Sequence, residues 1–416
     1  MAELFRNRRF MIFWVGQAVS VVGTGMAPVA FAALVLPHYG VTGLGLVMAT
    51  VSLVYGLALM GGGVIADRYS RTAVMATADV LRCGGALANL ALLGRVPLWT
   101  VCVLGAMTGL GDALFQPAYR AAFAQLLGPD LLRRANALQG TVNRGGLMLG
   151  AALAGVLVAT VGARVAFAVD AATFVVSIAT LLAIRLPRVD RTEEVAAGLR
   201  GAVRDAAEGL RAVWRVPWAA VVMAQGTLQV VAGFAPIFVL LPAVATQRYG
   251  AGAFGLLSAL MGLGSILGGL IAFRLRPRRE GVTAMHAVAL FGLVCLCLAL
   301  PVPLWVFGVA QVLAWAGIAI FAALWFASLQ RHFPEAVQGR VFALEALVTF
   351  ALEPVGLALT PVLAGVVGLT VVGVAAAVVI VTSSYGVLAV RGVPTLGTPA
   401  PAPTRREQVE QAPAAV

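Results

Sequence analysis

Uninterrupted apolar runs, each long enough to cross the hydrocarbon of a bilayer, recur from one end of the chain to the other. In lipid every backbone N–H and C=O needs a partner within the protein, so only helices and closed barrels are admissible. Barrel strands would alternate apolar and polar residues over about ten positions. These runs are uniformly apolar and longer, so they are helices. Of the 416 residues, 61% are hydrophobic and 11% charged, where a soluble domain carries about half and about a quarter.

Breaks at proline, glycine and charge clusters divide the runs into spans near 10–36, 43–65, 72–94, 98–122, 136–161, 164–185, 217–243, 252–273, 282–300, 303–329, 341–366 and 369–390. The first begins basic but continues too far without a small-residue cleavage site, so an uncleaved span is expected rather than a signal peptide. With the N-terminus in the cytoplasm, the inner loops hold Arg68 and Arg71, Arg133 and Arg134, the stretch from Arg188 to Arg215, Arg274 to Arg279, and Arg331 with Arg340. The outer loops hold only Arg95, Arg164 and Arg248. That asymmetry predicts a multi-pass protein of the cell membrane with both termini cytoplasmic. It also accounts for the net charge of +12 without nucleic acid as a partner. All 29 basic residues are arginine, which excludes a Walker A loop and a lysine Schiff base within this chain, and with them a self-contained ATP-driven pump or a rhodopsin. Cys83, Cys102, Cys295 and Cys297 lie inside apolar runs and lack zinc-ligand spacing with His38, His286 and His332, so no metal or other cofactor is expected.

The segment 188–216 is charged, with Leu199, Val203, Leu210 and Val213 at helical spacing. An amphipathic helix lying on the inner leaflet is expected there. From residue 392 the sequence is rich in Pro and Ala without apolar period, and a disordered cytosolic tail is expected.

The chain repeats itself. Gly62-Gly63-Val64-Ile65-Ala66-Asp67-Arg68 is echoed 206 residues later by Gly268-Gly269-Leu270-Ile271-Ala272-Phe273-Arg274. The same shift carries Arg134, Ala137 and Leu138 onto Arg340, Ala343 and Leu344, Gly150 onto Gly356, and Gly162 onto Gly368. A duplicated six-helix unit follows, with halves at 1–187 and 217–391. Six is even, so both copies enter the membrane the same way round, related by a pseudo-twofold axis along the membrane normal.

On these residues the chain resembles a twelve-span transporter of the major facilitator superfamily. The stretch "GGGVIADRYSR" is similar to that superfamily's G-x-x-x-D-R-x-x-R loop between spans two and three, supplied here by Gly63, Asp67, Arg68 and Arg71. "FQPAYRAAFAQLL", "RRANALQGTVNRGGLMLGAALAG" and "LQRHFPEAVQGRVFAL" resemble the branch that includes macrolide and enterobactin exporters. The resemblance implies an all-α membrane fold of two six-helix halves, a monomer working on a small-molecule substrate and protons. It also implies a gate in which Asp67 meets the start of span eleven near Gly339 and Arg340. Phe273 replaces Asp67 in the second copy, so only one loop can form this latch. Span five departs from the exporters' antiporter motif, with Ala151 where proline is usual after Gly150.

Ionisable residues within spans are costly and by default functional. Asp79 and Arg82, three apart on span three, are expected to neutralise one another. Arg144 lies ten residues beyond Arg134, about 15 Å deeper, and needs an acidic partner or an anionic ligand. Asp112 and Glu353 lead the candidates for proton coupling, ahead of Asp79 and Glu345, with Pro354 expected to kink span eleven beside Glu353. Pairing with Arg82 or Arg144 is the structural alternative for all four. Asp170 is expected to cap span six or pair with Arg164. Phe115, Tyr119, Phe234, Trp315 and Phe350 are candidates for a cavity holding a bulky, weakly charged or anionic compound. The glycines of "GLGSILGG", Gly262 to Gly269, lie mid-span with no preceding strand and are not a dinucleotide loop. Together these features predict a proton-coupled exporter working by alternating access, with a uniporter or importer on the same fold as the first alternative. A membrane sensor or scaffold would need a soluble domain that the chain lacks. An enzyme would need a catalytic constellation that its loops do not show.

Overall fold

The computed structural model describes residues 8–127, 129–184 and 208–397; side chains at 60–68, 124, 129–130, 132–134, 136–137, 141, 335–336 and 349–350 are not described. The expected spans each overlap one helix. The continuous stretch Arg8–Arg68 is two helices, α1 (8–39) and α2 (41–68), broken at Gly40, whose φ of 63° and ψ of −170° leave the helical region. Then follow α3 (Arg71–Leu92), α4 (Leu98–Leu126), α5 (Pro129–Thr160) and α6 (Ala163–Ile184). The second half comprises α7 (Pro217–Tyr249), α8 (Ala253–Arg274), α9 (Glu280–Ala299), α10 (Leu304–His332), α11 in two segments (Glu335–Phe350 and Glu353–Val367), and α12 (Leu369–Gly386). Among the described residues, ten helical stretches are apolar and long enough to cross a membrane, and one of them contains both α1 and α2. Helix α3, which carries Asp79 and Arg82, is not among them.

The duplication extends to the backbone. Gly162 and Gly368, 206 apart, both take positive φ (97° and 88°) at the turns before α6 and α12, a conformation that glycine adopts without Cβ strain. The Tyr39 hydroxyl donates to the Val96 carbonyl in one half, and the Tyr249 hydroxyl to the Val302 carbonyl in the other. Each tie pins the end of the half's first helix to the loop before its fourth.

Two expectations change. Pro354 does not kink a continuous helix: the break falls at Ala351 and Leu352, and Pro354 sits in the first turn of the outer α11 segment. A proline there lacks only an N–H that would be unpaired in any case. The chain is also ordered beyond residue 392, with Val393 (0% exposed) and Leu396 (1%) packed in a cluster with Trp218 and Met285; burial of these two apolar side chains offsets the ordering of the strap. Within the linker, 208–214 is helical, with Val213 buried against the second half and Leu210 exposed. The remainder of the linker expectation (185–207) and of the tail expectation (398–416) lies outside the described residues.

The halves meet along two seams near the face that is poor in arginine. On α5 and α8, a Cβ on Gly255 would stand 2.2 Å from the Gly155 Cα, so the backbones touch. Gly262 faces Met148 and Gly269 faces Arg144 along the same seam. On α2 and α11, Gly45 lies against Pro361 and the Leu357 carbonyl. Ala49, Val239 and Leu357 pack with Val41, Met48 and Phe238, adding α7 to the seam of α2 and α11.

Candidate functional site

The charges inside the first half are gathered into one network. Arg82 on α3 pairs with Asp79 one turn before it and, at 3.0 Å, with Asp112 on α4. The Asp79 carboxylate also accepts from Ser177 on α6 (2.6 Å), and Ser177 accepts from the Gln17 amide on α1 (2.9 Å). Four helices therefore converge on one guanidinium, which lies 4.2 Å over the Phe115 ring and 5.0 Å from that of Phe174. The two acids are not equivalent. Asp79 is fully buried, whereas the Asp112 side chain is 39% exposed.

That exposure continues down α4, where Gln116 and Arg120, at the next two turns beyond Asp112, are both exposed. Tyr55 on α2 lies within electrostatic reach of both Asp112 and Arg120. Three polar groups on successive turns of a membrane helix would be costly against lipid and need an aqueous space.

The other candidates lie at a similar depth. Counted from the ends near the arginine-poor face at 1.5 Å per residue, Asp112, Glu353, Phe234 and Arg144 sit about 21 to 24 Å deep. Glu353 accepts a 2.7 Å hydrogen bond from Ser52, joining α11 to α2 across the halves. It lies in the first turn of the outer α11 segment. Arg144 is exposed beside Gly269 and has no acidic partner among the described residues. In the second half, one turn of α7 widens to π geometry over Val230–Phe234. Phe234 stacks on Phe291 with centroids 4.1 Å apart, and both rings meet Trp315 edge-on. Buried polar atoms of Trp315 (Nε1) and Gln311 (Oε1 and Nε2), one turn apart on α10, have no partner among the described residues.

The arrangement is a twelve-helix bundle of two similar halves with ionisable groups and aromatics at mid-depth, and the chain matches the Major Facilitator Superfamily over residues 13–352. The chain belongs to that superfamily. The enterobactin exporter EntS of Escherichia coli O1:K1 / APEC is 27% identical over 399 residues, covering 89% of this chain and 92% of the relative. The multidrug efflux pump Tap of Mycolicibacterium fortuitum is 29% identical over 364 residues, covering 83% and 87%. Solved structures share the fold: the nucleoside transporter NupG (D323A mutant) matches with a TM-score of 0.75 at 10% identity, over 91% of this chain and 98% of that one. A D-xylose-proton symporter matches at 0.68 and 16% identity, over 93% and 98%.

Within this superfamily member, several candidates have other surroundings than their sequence positions indicate. Phe115 and Tyr119 stack on one another and, through Tyr119, on Phe13 inside the first half, in a core with Phe10 and Phe123. Phe115 lies under the Arg82 guanidinium and Tyr119 backs Phe115. Asp170 is buried on α6 and makes no ion pair with Arg164 among the described residues. Arg71 donates to the Ala121 carbonyl (2.8 Å) and Gln125 (3.0 Å), and Arg340 pairs with Glu208 of the linker at 2.8 Å. Glu345 lies half-buried on the first α11 segment. The side chains of Asp67, Arg68 and Phe350 and the surroundings of Gly63 lie outside the described residues. The glycines of span five serve packing: Gly150 abuts the Val22 carbonyl and Gly25 on α1. Those of "GLGSILGG" do likewise, Gly264 and Gly268 abutting the Val312 and Ala316 carbonyls of α10.

Sequence reasoning missed Ser177, Gln17, Ser52, Gln116 and Arg120. For the last two a signal existed, since Asp112, Gln116 and Arg120 recur every four residues in an otherwise apolar span. The serines and Gln17 carried none, because their roles depend on which helices become neighbours.

Proposed function

We propose that this protein is a secondary exporter that moves a bulky organic compound out of the cell by alternating access, driven by protons returning inward. The observation that carries the reading is the Asp79, Arg82 and Asp112 network: its inner acid is sealed while the side chain of its other acid is 39% exposed at mid-depth. A carboxyl in that position can take up or release a proton, and Arg82 can report the change to three other helices. Contacts between the halves near the arginine-poor face fit a state open toward the arginine-rich face, which the positive-inside rule makes cytoplasmic. Both termini then lie in the cytoplasm, with 1–187 and 217–391 as the moving units joined by 188–216.

The efflux direction draws support from the two exporter relatives. The substrate site is assigned to the space between the halves, with Phe234 and Trp315 as apolar wall and Arg144 as the cation available to an anionic group. Glu353, held to Ser52 across the halves, is the second proton candidate. The Asp67, Arg68 and Arg71 loop is assigned to the latch of the opposite state. Arg340 would then exchange Glu208 for contacts with that loop.

Cells expressing the protein and loaded with a bulky anionic fluorescent compound or a fluorescent macrolide conjugate test the reading. Faster efflux than in empty-vector cells, abolished by an uncoupler and reduced at least tenfold by Asp112→Asn, is the expected result. Efflux indifferent to the uncoupler removes proton antiport and leaves a uniporter; net uptake makes the protein an importer.

A further inference from the structure

The first half holds a fourth ionisable group that the network above does not use. Asp170 on α6 is 1% exposed. It lies one turn before Phe174, whose ring sits 5.0 Å from the Arg82 guanidinium carbon. A Cβ built on Gly23 would come 2.8 Å from the Asp170 Oδ1, so the α1 backbone closes that side. The same oxygen has no hydrogen-bond partner among the described residues. Arg82 has an unmet group of its own: its Nη atoms serve Asp112 and Asp79, while its buried Nε has no partner.

The charged and titratable groups around Asp170 are Arg82 and Cys83 on α3, with Asp79 beside them, and Asp112 on α4. Helix α1 has no such side chain between residues 10 and 37, and α5 none between 145 and 160. Three carboxyls therefore share one guanidinium. Two of them already occupy its terminal nitrogens, and the third is sealed from water. A buried carboxylate without a cation or a donor is uncompensated, and such groups neutralise instead.

We propose that Asp170 is a buried proton-binding site, occupied in this conformation and distinct from the water-facing Asp112. One carboxylate oxygen of Asp170 takes one proton from solvent and becomes the neutral acid. Asp112 and Asp170 thereby divide one proton and one guanidinium between them: whichever is ionised takes Arg82, and the other holds the proton. The free Nε of Arg82 supplies the donor that an ionised Asp170 would need. This assignment concerns where a proton rests and stands apart from whether transport is proton-driven.

Infrared spectroscopy of the purified full-length protein in lipid vesicles, in heavy water at neutral pH, tests it. The carbonyl stretch of a neutral carboxyl is expected in the wild type and lost in Asp170→Asn. The same variant should keep its melting temperature, because an amide replaces a neutral acid of the same shape. A band that survives Asp170→Asn overturns the proposal, and so does the absence of any such band in the wild type. If Asp170→Asn does not fold, Asp170→Glu decides: the longer side chain must displace the band, and a band that stays in place overturns the assignment. Because none of these readings measures efflux, a failed antiport test leaves this one informative.

Discussion

The two halves are copies of one six-helix unit, and their differences show what the unit needs and what it does not. Both bind their first helix to their sixth through a glutamine and a serine: Gln17 to Ser177 (2.9 Å), and Gln229 to Ser384 (3.0 Å). Both press a glycine of the fourth helix against the third, with Gly111 at the Ala78 carbonyl and Gly317 at that of Ala287. In the first half the serine then donates to Asp79 and so to the guanidinium; in the second, Ser384 donates only to the Ile380 carbonyl of its own helix. The positions 206 beyond Asp79, Arg82 and Asp112 are Met285, Val288 and Ile318, of which Met285 and Val288 are buried, at 0% and 2% exposure. The second copy therefore packs these three positions without charge. Ionisable groups kept where they are expensive are the reason we propose the first half as the main place where proton binding is coupled to movement.

The most severe way to break this comparison is to remove Arg82 alone. Arg82→Val leaves Asp79 buried without a cation, which is expected to cost about 3–5 kcal/mol, read as a collapse of the melting temperature or of monodisperse protein on size exclusion. Copying the second half in full, Asp79→Met with Arg82→Val and Asp112→Ile, should restore stability to within about 1 kcal/mol of wild type or above it, since apolar replacement of a buried ion pair is often neutral or stabilising. That triple variant should transport nothing. A triple variant that remains as unstable as the single one would show that the charges hold the first half together, and the comparison would fail.

An intermediate effect is expected where the halves touch. A Cβ on Gly255 meets the Gly155 backbone at 2.2 Å, and backbone atoms cannot step aside as a flexible side chain can. Gly255→Val should cost about 1–3 kcal/mol by overpacking and hold the α5 and α8 seam apart. Cysteines placed at the arginine-poor ends of these helices, in a background without the native cysteines, should then label faster with a membrane-impermeant maleimide. Unchanged labelling would show that the two helices do not form the seam in the membrane.

How much of this was legible in the sequence follows from what each feature depends on. The twelve spans and the duplication depend on local hydropathy and on repeated glycines, and both are visible residue by residue; Gly162 and Gly368 even share the backbone conformation that their alignment implies. The pair of Asp79 and Arg82 is local too, being one turn of one helix. That Asp112 would complete it depends on α4 lying against α3, and no periodicity encodes which helices are neighbours. The same limit hid Ser52 as the partner of Glu353, 301 residues away. It also misplaced Phe115 and Tyr119, since an aromatic facing the core of its own half and one facing the other half have the same sequence signature. The ordered strap at 392–397 was missed for a different reason: two apolar residues, Val393 and Leu396, suffice to anchor it, too few to register against a tail rich in Pro and Ala.

The finest test lies in the two serines that hold equivalent seams. Ser177→Ala removes a hydrogen bond to an ionised group and leaves the Asp79 carboxylate with Arg82 alone, a loss expected at about 1.5–3 kcal/mol. Ser384→Ala removes an acceptor of Gln229 and a long one (3.5 Å) of Gln225, but the Gln229 amide also donates to Ser383 at 2.9 Å and to the Ile380 carbonyl at 3.3 Å. A neutral bond with a substitute at hand should be worth about 0.5–1.5 kcal/mol at most. Ser384 is one residue beyond the position 206 from Ser177, but both changes delete a hydroxyl that accepts from the first helix's glutamine, so the difference in melting temperature reports what the charge adds. Equal losses would mean that Ser177 acts as plain helix packing and that the network ends at Asp79. A larger loss at Ser177, accompanied by slower efflux that Ser384→Ala does not show, would extend the coupling from the guanidinium through α6 to Gln17 on α1.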